Sequence, residues 1–305
     1  MSEYVMKVGT HDVKITHPDR VLFTDPTITK EQLIAYYHRI APIMIPYMRN
    51  RPLSMKRFPE GIHAEGFFQK DAPDYFPDWI KRFGIEKEDK TKVVHHVLCN
   101  DAATLVYLAN QAMITPHLWL STTKNIHTPD LLIFDLDPPS AQAFDLVKEV
   151  AFLLKELIER VGLVPFVKTT GSKGVHVTVP IKTELPFDDV RTFARALATQ
   201  LAHEQPDTTT VEVRKEKRKG RVFIDYLRNA WAQTAVSPYA VRAKKDAPVA
   251  TPLQWQELQR IQSAQAYTIT NIFRRLAQID DPWKDMAKQA QSIKKAAQAM
   301  KAMHF

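Results

Sequence analysis

Asp130-Leu-Leu-Ile-Phe-Asp-Leu-Asp-Pro-Pro139 is the stretch on which the reading of the fold turns. The apolar run 131–134 is short, and two prolines unable to donate ladder hydrogen bonds stop it. That combination predicts a buried strand. Side chains of a strand alternate between its faces, so Asp135 and Asp137 share one face at its end. Two carboxylates held side by side need counter-charge. Two divalent cations with hard oxygen ligands would supply it and keep positions open for phosphate oxygens. The same pair also suits a solvated turn, and this segment alone leaves both readings open.

The residues downstream narrow the choice. An amphipathic helix is predicted over 144–161, with Gly162 as its stop. A strand over 163–168 then leads into Thr169-Thr170-Gly171-Ser172-Lys173-Gly174 and a second strand over 175–179. Small hydroxyl residues, two glycines and Lys173 give a backbone that phosphates can approach closely. The spacing is not that of a Walker A loop, and a strand follows where a helix would. Residues 186–203 read as a helix carrying Asp188-Asp189 in its first turn, where acidic groups favour the helix dipole. Residues 214–221 hold six basic side chains in eight and suit either a solvated hairpin tip or a phosphate backbone. A strand is expected over 222–227 with Asp225 at its centre, sharing a face with Phe223 and Leu227. A third carboxylate there suits a two-cation site.

Upstream, residues 4–16 read as two short strands around Gly9-Thr10. Thr29-Lys30-Glu31-Gln32 has the capping-box pattern that starts a helix. A strand over 53–58 carries Lys56 and Arg57, and Gly66-Phe67-Phe68-Gln69-Lys70 follows. Adjacent aromatics on a strand face opposite ways, so at most one of Phe67 and Phe68 belongs in a core. The alternative is a base-stacking platform. Asn100-Asp101 caps a helix reaching about Gln111, and His117 falls in the connection before the Asp strand. The C-terminal part reads as helices over 253–260, 269–278 and 284–302, the last as a solvated or lid-like helix rich in Lys and Ala.

The chain has 305 residues and a formal net charge of +8, so an anionic partner is expected. Its single cysteine, Cys99, excludes an intrachain disulfide and reads as a small buried apolar residue. No apolar stretch approaches the ~20 residues needed to span a bilayer. The expectation is a cytoplasmic, nucleoid-associated protein with no membrane partner.

Taken together, Phe-Asp-Leu-Asp-Pro (134–138), Thr-Thr-Gly-Ser-Lys-Gly-Val-His-Val (169–177), Phe-Ile-Asp-Tyr-Leu-Arg-Asn (223–229) and Thr-Ala-Val-Ser-Pro-Tyr-Ala-Val-Arg (234–242) resemble the polymerase/primase module of bacterial DNA ligase D. That module belongs to the archaeo-eukaryotic primase superfamily and acts in non-homologous end joining. The resemblance runs from about residue 16 to residue 283. It implies that Asp135, Asp137 and Asp225 hold two divalent cations, Mn2+ or Mg2+. It implies that Thr170, Ser172, Lys173, Gly174 and His176 receive a nucleoside triphosphate, with Arg242 as a second phosphate contact and His117 near the nucleotide. Phe67 and Phe68 would stack on template DNA with Lys56 and Arg57 beside them, and Arg20 with Lys30 would grip a 5′-phosphate across a gap or break. Ribonucleotide preference, a Ku-like end-binding partner and a separate ligase are further implications. The sequence departs from the family pattern at Arg20 (Lys expected), at Thr170 (Ser usual) and at Trp231-Ala232 (commonly Arg-Gly).

The fold implied is a mixed α/β, primase-like domain with a central twisted, largely antiparallel sheet in two lobes, helices outside and a cleft active site. One domain over 1–305 is expected, with an N-terminal lobe over about 1–125, a catalytic core over about 126–250 and C-terminal helices over about 251–305. Two other readings stay open at this point. One is a phosphatase of the haloacid-dehalogenase type with Asp135 as nucleophile, although Pro138-Pro139 stiffens an exit that is flexible in such enzymes. The other is a catalytically inert DNA-end-binding module.

Overall fold

A computed structural model describes residues 3–86 and 91–302. The first elements are β1 (Glu3–Val8), β2 (His11–Thr16), β3 (Val21–Thr24), β4 (Thr27–Thr29), α1 (Lys30–Met48), β5 (Leu53–Arg57), β6 (Phe67–Gln69), β7 (Arg82–Glu86), β8 (Val93–Val97), α2 (Ala102–Asn110) and β9 (Met113–Trp119). Next come β10 (Leu131–Asp137), α3 (Phe144–Arg160), β11 (Phe166–Thr169), β12 (Val175–Pro180), α4 (Phe187–Glu204), β13 (Thr209–Thr210) and β14 (Val222–Asp225). The last are β15 (Thr234–Val236), β16 (Pro252–Leu253), α5 (Trp255–Arg260), α6 (Ile272–Leu276) and α7 (Ile293–Ala302).

These elements form two compact units. The first comprises residues 1–124, 234–249 and 268–270; the second comprises 125–233, 250–267 and 271–305. The segment 234–249, expected within the catalytic core, therefore folds with the N-terminal lobe, and the C-terminal helices belong to the second unit. The architecture is mixed α/β with largely antiparallel sheets, as the motifs implied. Among the described residues no helix is long and apolar enough to cross a membrane.

In the first unit, α1 begins at the capping box read from the sequence. Thr29 accepts from the Gln32 backbone, and the Gln32 side chain returns to the Thr29 N–H. Its stripe of Leu33, Ile34, Tyr37, Ile40 and Met44 is fully buried. A four-stranded sheet of order β15-β9-β5-β6 is antiparallel throughout. The late segment after β15 is threaded through this core, with Tyr239, Ala240 and Val241 fully buried. The Tyr36 hydroxyl donates to the Tyr239 carbonyl at 2.7 Å, and the Thr115 hydroxyl to the Val241 carbonyl at 2.6 Å. Those bonds hold Tyr239 at φ +62°, a conformation that residues with side chains rarely adopt.

In the second unit a six-stranded sheet runs β13-β14-β10-β12-β11-β16. Alternation sorts its faces. Leu132, Phe134 and Leu136 of β10, Val175, Val177 and Val179 of β12, Val167 of β11 and Ile224 of β14 pack on one face against α3 and α4. The helices contribute Val147, Val150, Leu154, Leu157 and Leu197, all buried in the same cluster. The helix-covered face is thereby apolar, and Asp135, Asp137, Lys168, His176 and Asp225 fall on the opposite face, together with Ile133 and Phe223.

Several expectations shift in detail. β14 ends at Asp225 and the chain turns at once into a 3-10 segment, Leu227–Asn229, so Asp225 terminates its strand. β13 and β14 pair in parallel, so the basic run 214–221 is a crossover and not a hairpin tip. His117 lies within β9, because the apolar residues around it pair on both sides. The last helix is shorter than expected, and Ile293, Ala296 and Met300 of α7 are buried in the core cluster, so it is neither solvated nor a lid.

One side chain finishes the sheet where a strand has run out. After β14 turns away, the fully buried Asn229 donates to the Ile133 carbonyl at 2.7 Å and accepts from the Ile133 N–H at 2.9 Å, continuing the ladder beside β10. Asn229→Ala leaves both backbone groups without a partner and is expected to lower stability by roughly 2–4 kcal/mol. Urea unfolding measures this, and a loss under about 1 kcal/mol would contradict the role given to Asn229.

Candidate nucleotidyl-transfer site

Register brings the distant acidic residues together. Asp135 of β10 lies directly opposite Asp225 of β14 on one side and His176 of β12 on the other. His176 in turn lies opposite Lys168 of β11. Directly opposed residues of antiparallel strands project to the same face, so Asp225, Asp135, His176 and Lys168 form one polar row across four strands. Asp137, two residues beyond Asp135, stands on the same face opposite Phe223.

Like charges directly opposite destabilise a sheet, and the surroundings offset this. Arg228, on the 3-10 segment after β14, places its Nε 3.7 Å from Asp135 Oδ2 and 3.5 Å from Asp225 Oδ2. His176 Nε2 lies 3.4 Å from Asp135 Oδ2. Asp225 Oδ1 accepts the Leu227 N–H at 2.8 Å, which fixes the carboxyl plane. Burial alone would raise Asp135, yet His176, Arg228 and Lys168 hold it down to about 2. Burial, then Lys168, pushes His176 down to about 4, so it is neutral at pH 7. Asp137 moves the opposite way, to about 6, through burial and repulsion from Asp135 and Asp225. Asp225 is raised as well, first by burial. Burial raises Asp137 and Asp225 despite the nearby Arg218 and Arg228, and these are the carboxyls that a bound cation would relieve. As the side chains stand, no three His, Cys, Asp or Glu among the described residues converge closely enough to enclose a metal ion. Arg228 occupies the space between Asp135 and Asp225.

The loop between β11 and β12 is built around Thr170. Its hydroxyl donates to the Gly174 carbonyl at 3.0 Å and accepts the Ser172 N–H at 3.2 Å. Gln265 donates to the Ser172 carbonyl at 2.7 Å. Lys173 is exposed at the tip, whereas Gly174 is buried. A Cβ on Gly174 would stand 1.9 Å from the Leu136 carbonyl oxygen. Only glycine lets the loop close against β10 between its two aspartates, and this ties the loop to the acidic row.

The remaining candidates lie in the first unit and form two groups. In one, Phe67 and Phe68 of β6 are 46% and 55% exposed, so neither is core. Lys56 lies directly opposite Phe68, its ammonium 4.7 Å from the ring centroid, and Arg57 sits 5.7 Å from the Phe67 centroid. His117 meets Phe68 edge-on at 5.3 Å. Arg57 is further held by the Gln111 carbonyl, Gln69 and the Tyr75 hydroxyl. The two cations thus steady the rings. In the other group, Arg20 donates to the Pro59 carbonyl at 2.7 Å and pairs with Glu60 at 3.0 Å. Lys30 is buried, its ammonium 3.2 Å from the Asn110 carbonyl and 3.4 Å from the Thr16 hydroxyl. Burial, then the Arg20 charge, lowers Lys30 to about 8. Arg242 belongs to the first unit too, its N–H bonded to the Pro248 carbonyl.

Residues 29–283 match the family described as LigD, primase-polymerase domain. The chain belongs to this family. Family membership makes it a nucleotidyltransferase and replaces the phosphatase reading. Over 280 residues it is 30% identical to the bifunctional non-homologous end joining protein LigD of Bacillus subtilis, covering 92% of this chain and 45% of that protein. Identity to the multifunctional non-homologous end joining protein LigD of Pseudomonas aeruginosa is 33% over 297 residues, 95% of this chain and 34% of the relative. The chain therefore spans less than half the length of these relatives. A solved polymerase domain from Mycobacterium tuberculosis ligase D, in complex with DNA, matches with a TM-score of 0.84 and 27% identity, covering 91% of this chain and 99% of that one.

Sequence reading passed over three contributors. Lys168 looked like the end of an apolar strand, although its alternation with Val167 already set it on the polar face. Arg228 stood three residues after Asp225, a spacing that returns a side chain toward its origin only if the strand ends there. Arg218 lay within the basic run; its guanidinium lies 3.9 Å from the Phe223 ring centroid and draws both Asp137 and Asp225 downward.

Gly174→Ala is expected to cost about 1–3 kcal/mol through the clash with Leu136. Chemical denaturation of the variant checks this; an unchanged midpoint would mean that the loop does not press on β10.

Proposed function

We propose that this chain extends a DNA 3′ end on a template, adding nucleotides during gap filling and end joining. The observation that carries the reading is the pairing of Asp135 with Asp225 in adjacent strands, with Asp137 on the same face, in a member of the LigD primase-polymerase family. Asp135, Asp137 and Asp225 would hold two divalent cations, Mn2+ or Mg2+. Bound there, they would lower the pKa of the attacking hydroxyl and neutralise the triphosphate. The fit rests on the donor chemistry: hard carboxylate oxygens, with Asp137 and Asp225 raised first by burial and so favoured to gain a cation.

The chain's own residues do the positioning. Neutral His176 keeps the Asp135 carboxylate oriented without drawing off its charge. Thr170 shapes the loop so that Ser172, exposed Lys173 and the Gly174 backbone are available to a triphosphate. Arg242 adds a second phosphate contact and His117 a contact near the nucleotide; both roles rest on the family pattern. Phe67 and Phe68, exposed and braced by Lys56 and Arg57, offer stacking faces worth about 1–3 kcal/mol per base. DNA as the partner is supported by the matching polymerase domain solved with DNA and by the +8 net charge. Ribonucleotide preference, use of Mn2+, a Ku-like partner and a ligase supplied by a separate module complete the proposal.

Asp135→Asn is expected to abolish primer extension while leaving the affinity for a gapped duplex within about twofold, because the DNA contacts lie elsewhere. Extension and fluorescence-anisotropy binding on the same preparation check this, and residual extension near the wild-type rate would refute it. A second expectation concerns Lys30. A 5′-phosphate would raise its pKa from about 8, so binding takes up a proton and weakens as pH rises through that value. The preference for 5′-phosphorylated over 5′-hydroxyl gapped DNA should therefore be larger at pH 6.5 than at pH 9. Equal preference at both would remove Lys30 from the contact.

A further inference from the structure

Arg228 reaches two carboxylates of the acidic row, and none of the roles above uses it. Its backbone is pinned on both sides. Leu227 N–H is held by Asp225 Oδ1, and the Asn229 side chain is bonded to both backbone groups of Ile133. Its head group is different: the side chain is 43% exposed and reaches the carboxylates at 3.5 and 3.7 Å, longer than a direct charge-assisted hydrogen bond. A fixed base with a loosely held, half-exposed head can swing aside without disturbing the sheet. Lys168 offers no such exchange, because it is buried within the row. The guanidinium lies between Asp135 and Asp225, which is where oxygen ligands from those two strands would meet a cation.

We propose that Arg228 is the resident counter-cation of the row: it neutralises Asp135 and Asp225 while no divalent cation is bound, and releases them by rotating about its fixed backbone when one enters. The inference rests on the reading of these carboxylates as the cation site. Arg228 then competes with the metal, setting how tightly the free enzyme holds it and keeping the row compact before substrate arrives. A residue that merely supported the fold would weaken metal binding when removed. A competing cation strengthens it.

The experiment uses the full chain without DNA or nucleotide, titrated with Mn2+ at low salt, with free Mn2+ read by electron paramagnetic resonance. Arg228→Gln, which keeps polar reach but loses the charge, is expected to bind Mn2+ about fivefold more tightly, the scale of one partly screened ion pair. Arg228→Lys should stay within about twofold of wild type, since the charge is kept. Unchanged or weaker binding in Arg228→Gln overturns the proposal. Asp135→Asn separates the two levels. If it binds Mn2+ as wild type does, the cation-site reading fails and the inference with it. If it loses binding while Arg228→Gln gains none, only the role of Arg228 falls. Independently of any variant's folding, the Arg228 Nε–H resonance of the wild-type protein should move on saturation with diamagnetic Mg2+. A resonance that stays in place also overturns the proposal.

Discussion

Two carboxylates face each other across adjacent strands of a sheet, and nearly every unusual feature of the second unit answers to that fact. Asp135 and Asp225 share one cross-strand pair, an arrangement that costs energy unless positive charge or hydrogen bonds stand close. Lys168 and His176 continue the row on one side, and Arg228 spans it from the other. Asn229 patches the ladder so that β14 can end at Asp225 and still hold its register. The helix-covered face is apolar and ordinary. The opposite face carries the acidic row, and alternation along each strand assigns its residues to one face or the other.

The first unit handles charge differently. Here Lys56 and Arg57 lie against the exposed Phe68 and Phe67 rings, so the cations hold the rings in place. Lys30 is buried beside the Asn110 carbonyl and weakened by Arg20. Two like charges so placed are unfavourable on their own and become favourable around an anion.

Much of this was legible in the sequence, for identifiable reasons. β10 announced itself because a short apolar run ended on prolines, α1 through its capping box, α3 through an amphipathic stripe stopped at Gly162, and α4 through an acidic first turn. The acidic pair, the loop after β11 and Asp225 were all found as motifs, and the register joined them. What escaped depended on partners remote in the chain. His117 looked like a connection because its strand is completed by β15, more than a hundred residues later. The basic run 214–221 looked like a hairpin tip because nothing local reveals that β13 and β14 run in parallel. Arg228 was invisible as a participant because its role follows from the strand ending at Asp225. Phe67 and Phe68 left open whether one ring was core, and burial decided against both.

The path of the chain has its own consequence. It passes from one unit to the other at 124/125, 233/234, 249/250, 267/268 and 270/271. The segment 234–249 fills the interior of the first unit, with Tyr239 and Val241 at its centre. Neither half is therefore an exchangeable cassette, and a cut at the apparent boundary would strip a hydrophobic plug from the amino-terminal portion. On the ribosome that portion must wait, on the order of ten seconds at ordinary elongation speeds, for its missing piece to emerge. Nascent polypeptide in that interval exposes an unfinished sheet edge beside β9, so the order of synthesis, and not only the final energy, bears on how this protein reaches its native state.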